Sequence, residues 1–300
     1  MASAELRDTR RRIRSVQATQ KITRAMELIA ASRIPKASAR VLASKPYTAK
    51  LIEVIQNLGV AGGGSDHLLL DKREVKRAGV VVVSSDRGLA GAYASTIIRM
   101  AEQRIIDLRR EGKDIRIFAV GKKAQGYYRY RGYRLERSFL GVTDTPGYGD
   151  ARAIADAVMG SFASGDIDSV EAFYTRFQSA MTQVPSRYDL LPIEPPEGSP
   201  VTSASYEYEP APDEILNRLL PRYVEATVFN MLLEASASEH SARRRAMKAA
   251  TDNADELIRI LTVSANRARQ AEITTEISEI VGGAEALAGA RIARIARTAQ

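Results

Sequence analysis

Apolar positions in the last part of the chain follow helical spacing. The 60 residues from Arg222 to Val281 contain neither Gly nor Pro, so nothing in them is expected to stop a helix. A late apolar series is spaced by four and three residues, which places it on one helix face: Ile273, Ile277, Ile280, Ala284 and Leu287. An earlier series keeps heptad-like spacing with mostly small side chains: Met247, Ala250, Ala254, Leu257, Leu261, Ser264, Ala268 and Ala271. Small side chains predict a close approach to one partner helix.

The first segment predicts a second long helix. Its apolar positions fall into two sets whose register differs by about one residue, as happens in a gently supercoiled helix: Leu6, Ile13 and Val16, then Ile22, Met26 and Ile29. Pro35 and Pro46 each remove a backbone donor, so we expect them to bend or interrupt this helix and its functional part to be Ser3–Ile34. The most available partner for the last segment is this one, which predicts an antiparallel coiled coil.

The middle of the chain alternates between strand and helix patterns. A continuous Val run in AGVVVVSSD, residues 78–86, suits a parallel strand that is buried on both faces. Further strands are predicted at Ile115–Gly121 and Val170–Gln178, with RYDLLPI (187–193) as a candidate fourth, and helices are predicted up to Arg110 and within 150–165. The expected fold class is therefore α/β, with a Rossmann-like domain and a long antiparallel coiled coil of the two terminal helices.

Glycine and proline divide the chain into three parts. We predict an N-terminal coiled-coil helix over 1–58, a Rossmann-like α/β domain with linkers over 59–212, and a C-terminal coiled-coil helix over 213–300.

Composition excludes several classes of site. The chain has no Cys and only two His, which excludes disulfides, thiolate metal sites and imidazole-rich metal sites. No apolar run approaches the ~18 residues needed to span a bilayer. The Arg-rich start contains Glu5 and Asp8 and continues into a helical pattern, so we expect no transit peptide and a bacterial source.

The net charge of +8 lies entirely on the first segment, where residues 1–58 hold 12 Lys or Arg against 4 Asp or Glu. Such a segment fits the phosphates of a nucleic acid, an acidic protein surface, or a solvated helix face, and charge alone leaves these alternatives open.

Three motifs suggest chemistry without completing a site. Gly88 and Gly91 follow a strand and precede a helix, but the spacing is G-x-x-G, which favours a tight turn over a phosphate site. Glu276 and Glu279 share a helix face, where a solvated pair is favoured over general acid–base catalysis. Tyrosines and arginines alternate over 127–134, as either a stacking platform for nucleic acid or an amphipathic surface. We expect no catalytic, cofactor or metal site.

Several blocks together resemble the gamma subunits of F-type ATP synthases. ITTEISEIVGGAEA fits that family's C-terminal signature at Ile273, Thr274, Glu276, Glu279, Gly283, Ala284 and Ala286. Residues 238–258 and 266–274 resemble the family's long C-terminal helix. Residues 13–37 resemble its N-terminal helix, and SSDRGLAGAY (84–93) resembles its first strand and turn. The resemblance covers essentially the whole chain.

The resemblance implies a function without an active site. The chain would be the central rotor shaft, one copy per complex, that couples rotation of the membrane c-ring to ATP synthesis or hydrolysis. Its implied partners are a ring of three alpha and three beta subunits, the epsilon subunit and the c-ring, with no nucleic acid, no cofactor and no insertion into the bilayer. The implied location is the cytoplasmic face of a bacterial membrane, as a peripheral protein. Nucleotides would bind the alpha and beta subunits.

The resemblance also implies contact residues. For the alpha and beta subunits these are Arg10, Arg11, Arg14, Lys21, Arg24, Met26, Arg33, Arg269, Gln270, Ile273 and Glu276. For the foot on the c-ring and epsilon subunit they are Tyr206, Tyr208 and Glu209. The apolar series 273–287 is expected to pair first with the N-terminal helix and then to continue alone into an apolar sleeve. Gly282-Gly283 would either thin the shaft there or simply loosen a lone helix. A basic nucleic-acid-binding protein and a nucleotide-using Rossmann-like enzyme are the competing interpretations.

Overall fold

A computed structural model describes residues 2–60, 67–194 and 209–298, with side chains described in 5–58, 67–194 and 209–287. The first and the last secondary-structure elements are two long helices, α1 (Ala2–Val60) and α5 (Pro212–Thr298). The chain forms two compact units, one of Glu27–Ala246 and one that combines Met1–Met26 with Met247–Gln300. Both long helices contribute residues to each unit.

The larger unit contains a five-stranded mixed sheet. Its strands are β1 (Arg77–Val83), β2 (Asp114–Val120), β3 (Leu135–Phe139), β4 (Ser169–Phe177) and β5 (Gln183–Leu191). The strand order is β3-β2-β1-β4-β5, and only the β4–β5 pairing is antiparallel. The shorter helices are α2 (Tyr93–Arg110), α3 (Lys122–Tyr130) and α4 (Tyr148–Ala163), and a 3-10 turn spans Leu68–Leu70. The order of the parallel strands is that of a Rossmann-like half, which confirms the predicted fold class.

The valines of β1 explain why this strand is central. Val80 and Val82 pack with α2 and α3 on one face of the sheet, whereas Val81 and Val83 pack with α4 and α5 on the other. All four are at most 2% exposed. A strand covered on both faces requires apolar side chains at consecutive positions, and this is the origin of the continuous Val run.

The larger unit also contains part of the helix pair. Val41 of α1 packs with Leu233 and Ala237 of α5, and the Asn230 side chain donates a hydrogen bond of 2.6 Å to the Thr48 hydroxyl. In this unit α1 and α5 are therefore held mainly by apolar side chains that lie against the sheet domain.

In the smaller unit α1 and α5 run antiparallel. The Gln20 side-chain amide donates to the Asp255 carboxylate, and the hydroxyls of Thr23 and Thr251 lie 2.8 Å apart. As the residue number rises in one helix it falls in the other. The antiparallel helix pair predicted from the sequence is thereby confirmed.

The predicted register change in α1 is wrong. Ile22 and Ile29 are 61% and 54% exposed, because the seam continues in a single register through smaller and more polar residues. Buried or half-buried positions recur at Leu6, Thr9, Ile13, Val16, Gln20, Thr23, Glu27 and Ala30. Their spacing alternates between three and four residues, as in a regular coiled coil.

Half of the predicted seam in α5 is displaced by one residue. Leu257, Ser264 and Ala271 are exposed, and their neighbours Ile258, Ala265 and Glu272 are buried or half-buried instead. The observed seam is Met247, Thr251, Ala254, Ile258, Leu261, Ala265, Ala268 and Glu272. Because the predicted and the observed positions both contain small residues, the apolar character of the side chains does not identify which positions face the partner helix.

Prolines interrupt neither long helix. Pro35 and Pro46 lie inside α1, and Pro221 lies inside α5, which begins at Pro212, one residue before the predicted start at 213. The predicted interruption of α1 is therefore wrong. Each proline leaves one carbonyl without its helical donor, a cost that packing of the helix against its neighbours offsets.

Candidate protein-contact surfaces

The late apolar series of α5 is exposed in the isolated chain. Ile273, Ile277, Ile280 and Leu287 are 47%, 56%, 71% and 75% exposed. At the register set by Thr23 and Thr251, Ala2 of α1 lies opposite about residue 272 of α5. The expectation that this series pairs first with the N-terminal helix is wrong, because the described part of α1 reaches no further. A continuous apolar helix face without a partner in the described chain is typical of a protein-binding surface.

Residues expected to contact the alpha and beta subunits lie on or next to this face. Arg269, Gln270, Ile273 and Glu276 are all exposed. Arg269, Ile273 and Glu276 are four and three residues apart, so they share one side of α5. The tip of α5 thus combines aliphatic side chains with a cation and an anion that are open to solvent.

The basic residues of α1 form an exposed cationic surface. Arg10, Arg11, Arg14, Lys21 and Arg24 are all exposed, and Met26 is half-buried beside the seam. Asp8 lies within this surface and pairs with Arg11 at 3.0 Å and with Arg12 at 3.2 Å. These ion pairs are open to solvent and contribute ~0–1 kcal/mol each, so the surface is free to exchange them for others.

Arg33 differs from the other predicted contact residues. Its Nη1 lies 2.7 and 2.6 Å from the two carboxylate oxygens of Asp144 in the same chain. The prediction that Arg33 contacts another subunit is not tested by this pairing and stays a prediction. Of the predicted foot residues, Glu209 is exposed, whereas Tyr206 and Tyr208 lie outside the described residues.

The Gly88–Gly91 turn is packed against the protein itself. Leu89 and Gly91 have positive φ angles of 62° and 59°. Glycine adopts such angles without steric cost, which explains the second glycine of the G-x-x-G turn. A Cβ on Gly121 would lie 2.9 Å from the carbonyl carbon of Ser85, so the ends of β1 and β2 are in direct contact. Arg243 donates to the Gly88 carbonyl at 3.3 Å. This close packing favours the tight turn over a phosphate site.

Asp86, beside this turn, is a structural carboxylate. Burial opposes its ionisation, but hydrogen bonds from the backbone of Gly141, Thr143 and Lys122 and from the Thr143 hydroxyl hold the pKa of Asp86 below its usual value. Donors at 3.0–3.2 Å thus fix an ionised side chain that joins the end of β1 to the loop before α4. This geometry does not suit a general base.

One cavity of about 440 Å³ lies at the start of α2, and small apolar side chains line most of it. Arg245 is the only charged residue in its lining, and it donates to the Ala180 carbonyl at 3.1 Å and to the Gln183 side chain. Within the described ranges, no three metal-ligating side chains cluster anywhere. The cavity therefore brings together no acid–base pair.

The tyrosines after β2 face the protein and not a ligand. Tyr128 is fully buried, the Tyr127 hydroxyl donates to the Glu102 carboxylate, and Tyr133 lies under the Arg109 guanidinium at 4.6 Å. Tyr130 is 89% exposed. With three of the four rings in intramolecular contacts, the segment is the amphipathic surface of α3 and not a stacking platform.

The family model and the similar known proteins agree with one another. A family model described as ATP synthase matches residues 5–287. The ATP synthase gamma chain of Kineococcus radiotolerans is 51% identical over 296 residues, which cover 95% of this chain and 98% of the relative. The ATP synthase gamma chain of Desulfitobacterium hafniense is 48% identical over 287 residues, with 96% and 100% covered.

Solved structures share the fold. A chain of the Euglena gracilis mitochondrial ATP synthase, solved with OSCP, F1 and c-ring in rotational state 3, has a TM-score of 0.68 at 16% identity and 95% coverage of both chains. A chain of the Tetrahymena thermophila mitochondrial ATP synthase central stalk and c-ring has a TM-score of 0.59 at 23% identity, covering 76% of this chain and 99% of that one. In the part of the chain that is described, no helix is long and apolar enough to cross a membrane. The surfaces found here are suited to binding proteins.

Proposed function

This chain belongs to the family of ATP synthase gamma chains, and from that premise we propose that it is the central rotor shaft of an F-type ATP synthase. It transmits rotation of the membrane c-ring to the hexamer of alpha and beta subunits, and so couples proton translocation to ATP synthesis or hydrolysis. The observation that carries the proposal is the unpaired apolar face over 273–287, which continues an antiparallel helix pair. One helix that extends beyond its partner supplies a narrow tip that a surrounding ring of subunits is able to enclose.

The chain itself makes and breaks no bonds, and the nucleotides bind to the alpha and beta subunits. Support comes from the cavity at α2, which lacks an acid–base pair, and from the Asp86 carboxylate, which is fixed by four donors. The role of the chain is to make three otherwise equivalent catalytic sites unequal. An asymmetric shaft contacts each beta subunit differently, and its rotation shifts the populations of their open and closed conformations.

The proposed contact residues fall into two groups by chemistry. The cationic residues of α1, namely Arg10, Arg11, Arg14, Lys21 and Arg24, face acidic loops of the beta subunits. Because exposed ion pairs are individually weak, the shaft exchanges them as it turns. Met26, Arg33, Arg269, Gln270, Ile273 and Glu276 complete this surface, and Tyr206, Tyr208 and Glu209 belong to the foot.

The proposal also assigns a role to each part of the chain and a location to the protein. Residues 1–58 and 213–300 supply the shaft, and residues 59–212 supply the domain that meets the c-ring and the epsilon subunit. One copy serves each complex, as a peripheral protein on the cytoplasmic face of the membrane.

The test is co-expression with the alpha and beta subunits of a bacterial relative. We expect one copy of this chain per three alpha and three beta subunits, ATP hydrolysis by the complex, and none by the isolated chain. A variant in which Ile273, Ile277 and Ile280 are replaced by Asp should assemble poorly, whereas Asp at the exposed positions Asn266 and Arg267 serves as the control. An active hexamer that forms equally well without this chain would contradict the proposal.

A further inference from the structure

Asp144 lies in the loop between β3 and α4, inside the unit Glu27–Ala246. Its carboxylate accepts two hydrogen bonds from Arg33 of α1, at 2.7 and 2.6 Å. The same carboxylate lies 3.5 Å from Nη1 of Arg87, which follows β1. The side chain is only 22% exposed, so solvent and salt screen these charges less than at an open surface. One carboxylate therefore joins the N-terminal helix to the segment that follows the central strand β1.

The backbone of Asp144 contacts the other long helix. Its carbonyl oxygen accepts a hydrogen bond of 2.9 Å from the Ser236 hydroxyl of α5 and lies 3.3 Å from Nε2 of His240. Ser236 and His240 are one helical turn apart, so both side chains reach the loop from the same face of α5. A single residue is thus bound to α1 by its side chain and to α5 by its backbone.

The residues beside Asp144 extend these connections. The Thr143 hydroxyl donates to Asp86 at 3.0 Å, the carbonyl of Pro146 accepts from Arg40 of α1, and the Tyr148 hydroxyl donates to Glu225 of α5 at 2.7 Å. The loop is therefore fixed to the end of β1 on one side and to both helices on the other.

These directional contacts contrast with the packing of α1 on α5 in the same unit. There the helices meet through Ala37, Val41, Leu233 and Ala237, together with the hydrogen bond from Asn230 to Thr48. Apolar contacts are non-directional, whereas the charge-assisted hydrogen bonds from Arg33 to Asp144 fix an orientation.

We propose that Asp144 is the positioning residue through which the α/β domain transmits torque to both helices. The Asp144 junction, made of Asp144 with Arg33, Arg87, Ser236 and His240, keeps α1 and α5 from turning independently of the domain under load. This proposal rests on the proposed function of the chain as a rotor shaft.

The test uses the complete ATP synthase in membrane vesicles, with ATP hydrolysis and ATP-driven proton pumping measured on the same preparation. Asp144→Asn keeps the size and the backbone acceptor but removes the charge, and Arg33→Gln breaks the same pair from the other side. For both variants we expect a several-fold fall in protons pumped per ATP. For Asp144→Asn, which lies outside both proposed contact surfaces, we also expect hydrolysis within about twofold of wild type. Asp144→Glu should recover part of the pumping, because it restores the charge.

Glu171→Gln is the matched control. Glu171 is a buried carboxylate of β4 that pairs with Arg104 of α2 at 2.9 Å, and neither partner lies on α1 or α5. A general loss of stability should affect this variant as well, whereas its ratio of pumping to hydrolysis should match wild type. An unchanged ratio in Asp144→Asn and Arg33→Gln, or an equal fall in Glu171→Gln, would overturn the role of Asp144.

A covalent link separates a positional role from an electrostatic one. Since the chain has no cysteine, Arg33→Cys combined with Asp144→Cys introduces the only two thiols in this subunit. Joining them with a short bifunctional maleimide should restore the pumping ratio that the unlinked double variant loses. A linked complex that remains uncoupled would also contradict the proposal. If the wild-type complex hydrolyses ATP without this chain, the rotor function itself fails, and the two failures are thereby distinguished.

Discussion

His240 is almost fully buried in the middle of α5, with 2% of its surface exposed. Burial lowers its pKa, and the adjacent Arg243 acts in the same direction, whereas Asp144 opposes both. Its Nε2 faces the Asp144 carbonyl, and in the described chain its Nδ1 has no hydrogen-bond partner. Protonation would place a proton on Nδ1 where no acceptor is available, so the folded state favours the neutral ring.

This predicts how stability depends on pH. Because the folded-state pKa of His240 lies below 6.5, the unfolded chain binds more protons near and below that pH. Stability should be full above pH 6.5 and decline as the pH falls through it. Glu239, whose pKa is raised by burial, acts with the opposite sign, because its protonation as the pH falls stabilises the folded state. Urea unfolding of His240→Gln between pH 7.5 and 5.5 should show a smaller slope than wild type, with Glu239→Gln as the control. Equal slopes in His240→Gln and wild type would contradict the prediction.

Thr23 and Thr251 form a buried polar contact in the coiled coil. Three short contacts share two hydroxyl hydrogens: 3.0 Å from Thr23 to the Gln20 carbonyl, 2.9 Å from Thr251 to the Met247 carbonyl, and 2.8 Å between the two hydroxyls. At most two of these contacts are hydrogen-bonded at once.

A double-mutant cycle tests this contact. Thr23→Val or Thr251→Val alone should cost about 1 kcal/mol, since each leaves the other hydroxyl buried with one partner fewer. Both together should cost less than the sum, because paired apolar groups of the same shape pack without an unsatisfied donor. Urea unfolding of the four proteins gives the coupling energy. Strictly additive losses would show that the two hydroxyls do not interact.

Among the elements, the long helices and the inner strands were predictable and the helix registers were not. A Val run and a segment free of Gly and Pro each carry a strong local signal. Whether Ile22 or Thr23, and Leu257 or Ile258, occupies the buried seam depends on which helix face meets the partner helix. That is decided by α1 and α5 together and not by the sequence of either helix alone. Strand β3 and helix α3 lack a clear local signal, because LERSF places a Glu and an Arg side by side on an edge strand and α3 contains a glycine.

The prolines inside α1 give a prediction at the scale of the helix. Pro46 is exposed and lacks the N–H that would bond to the carbonyl of Leu42. Pro46→Ala restores this donor and removes the ring clash. It also raises the conformational entropy of the unfolded chain, which lowers the free energy of unfolding by roughly 0.4–1 kcal/mol. We expect a net stabilisation of about 2 kcal/mol.

Urea unfolding measures the effect of Pro46→Ala. Ala49→Gln, an exposed change on the same helix, should move stability by less than about 0.5 kcal/mol and serves as the control. A midpoint for Pro46→Ala at or below that of wild type would show that the helix needs the proline at this position.

At the scale of the whole molecule, sequence motifs identify the family, but they do not predict contacts between residues that are far apart in the chain. The C-terminal signature is a local string of residues, and it reports ancestry directly. The pairing of Arg33 with Asp144 joins positions 111 residues apart, and no local pattern encodes it. The contact of Arg33 with a partner subunit, which the resemblance implies, stays a prediction beside this pairing.

Gly282 and Gly283 allow a test in the assembled complex. A Cβ at either position would meet nothing within 4 Å in the described chain. Replacing both with Ala should therefore stabilise α5 by roughly 0.5–1 kcal/mol per site. If the pair thins the shaft within the ring, replacement of both with Leu should lower ATP turnover several-fold while the Ala variant changes it little. Equal turnover in all three complexes would favour the alternative that the glycines only loosen the helix.

The contact between Thr23 and Thr251 also has a consequence for biosynthesis. The two residues are 228 positions apart, and a ribosome adding about 5–20 residues per second needs roughly 10–45 s to make the interval. Throughout that time the Leu6–Val16 seam has emerged without the helix that will cover it. We therefore expect the nascent N-terminus to bind a ribosome-associated chaperone, and the coiled coil to be among the last parts of the protein to form.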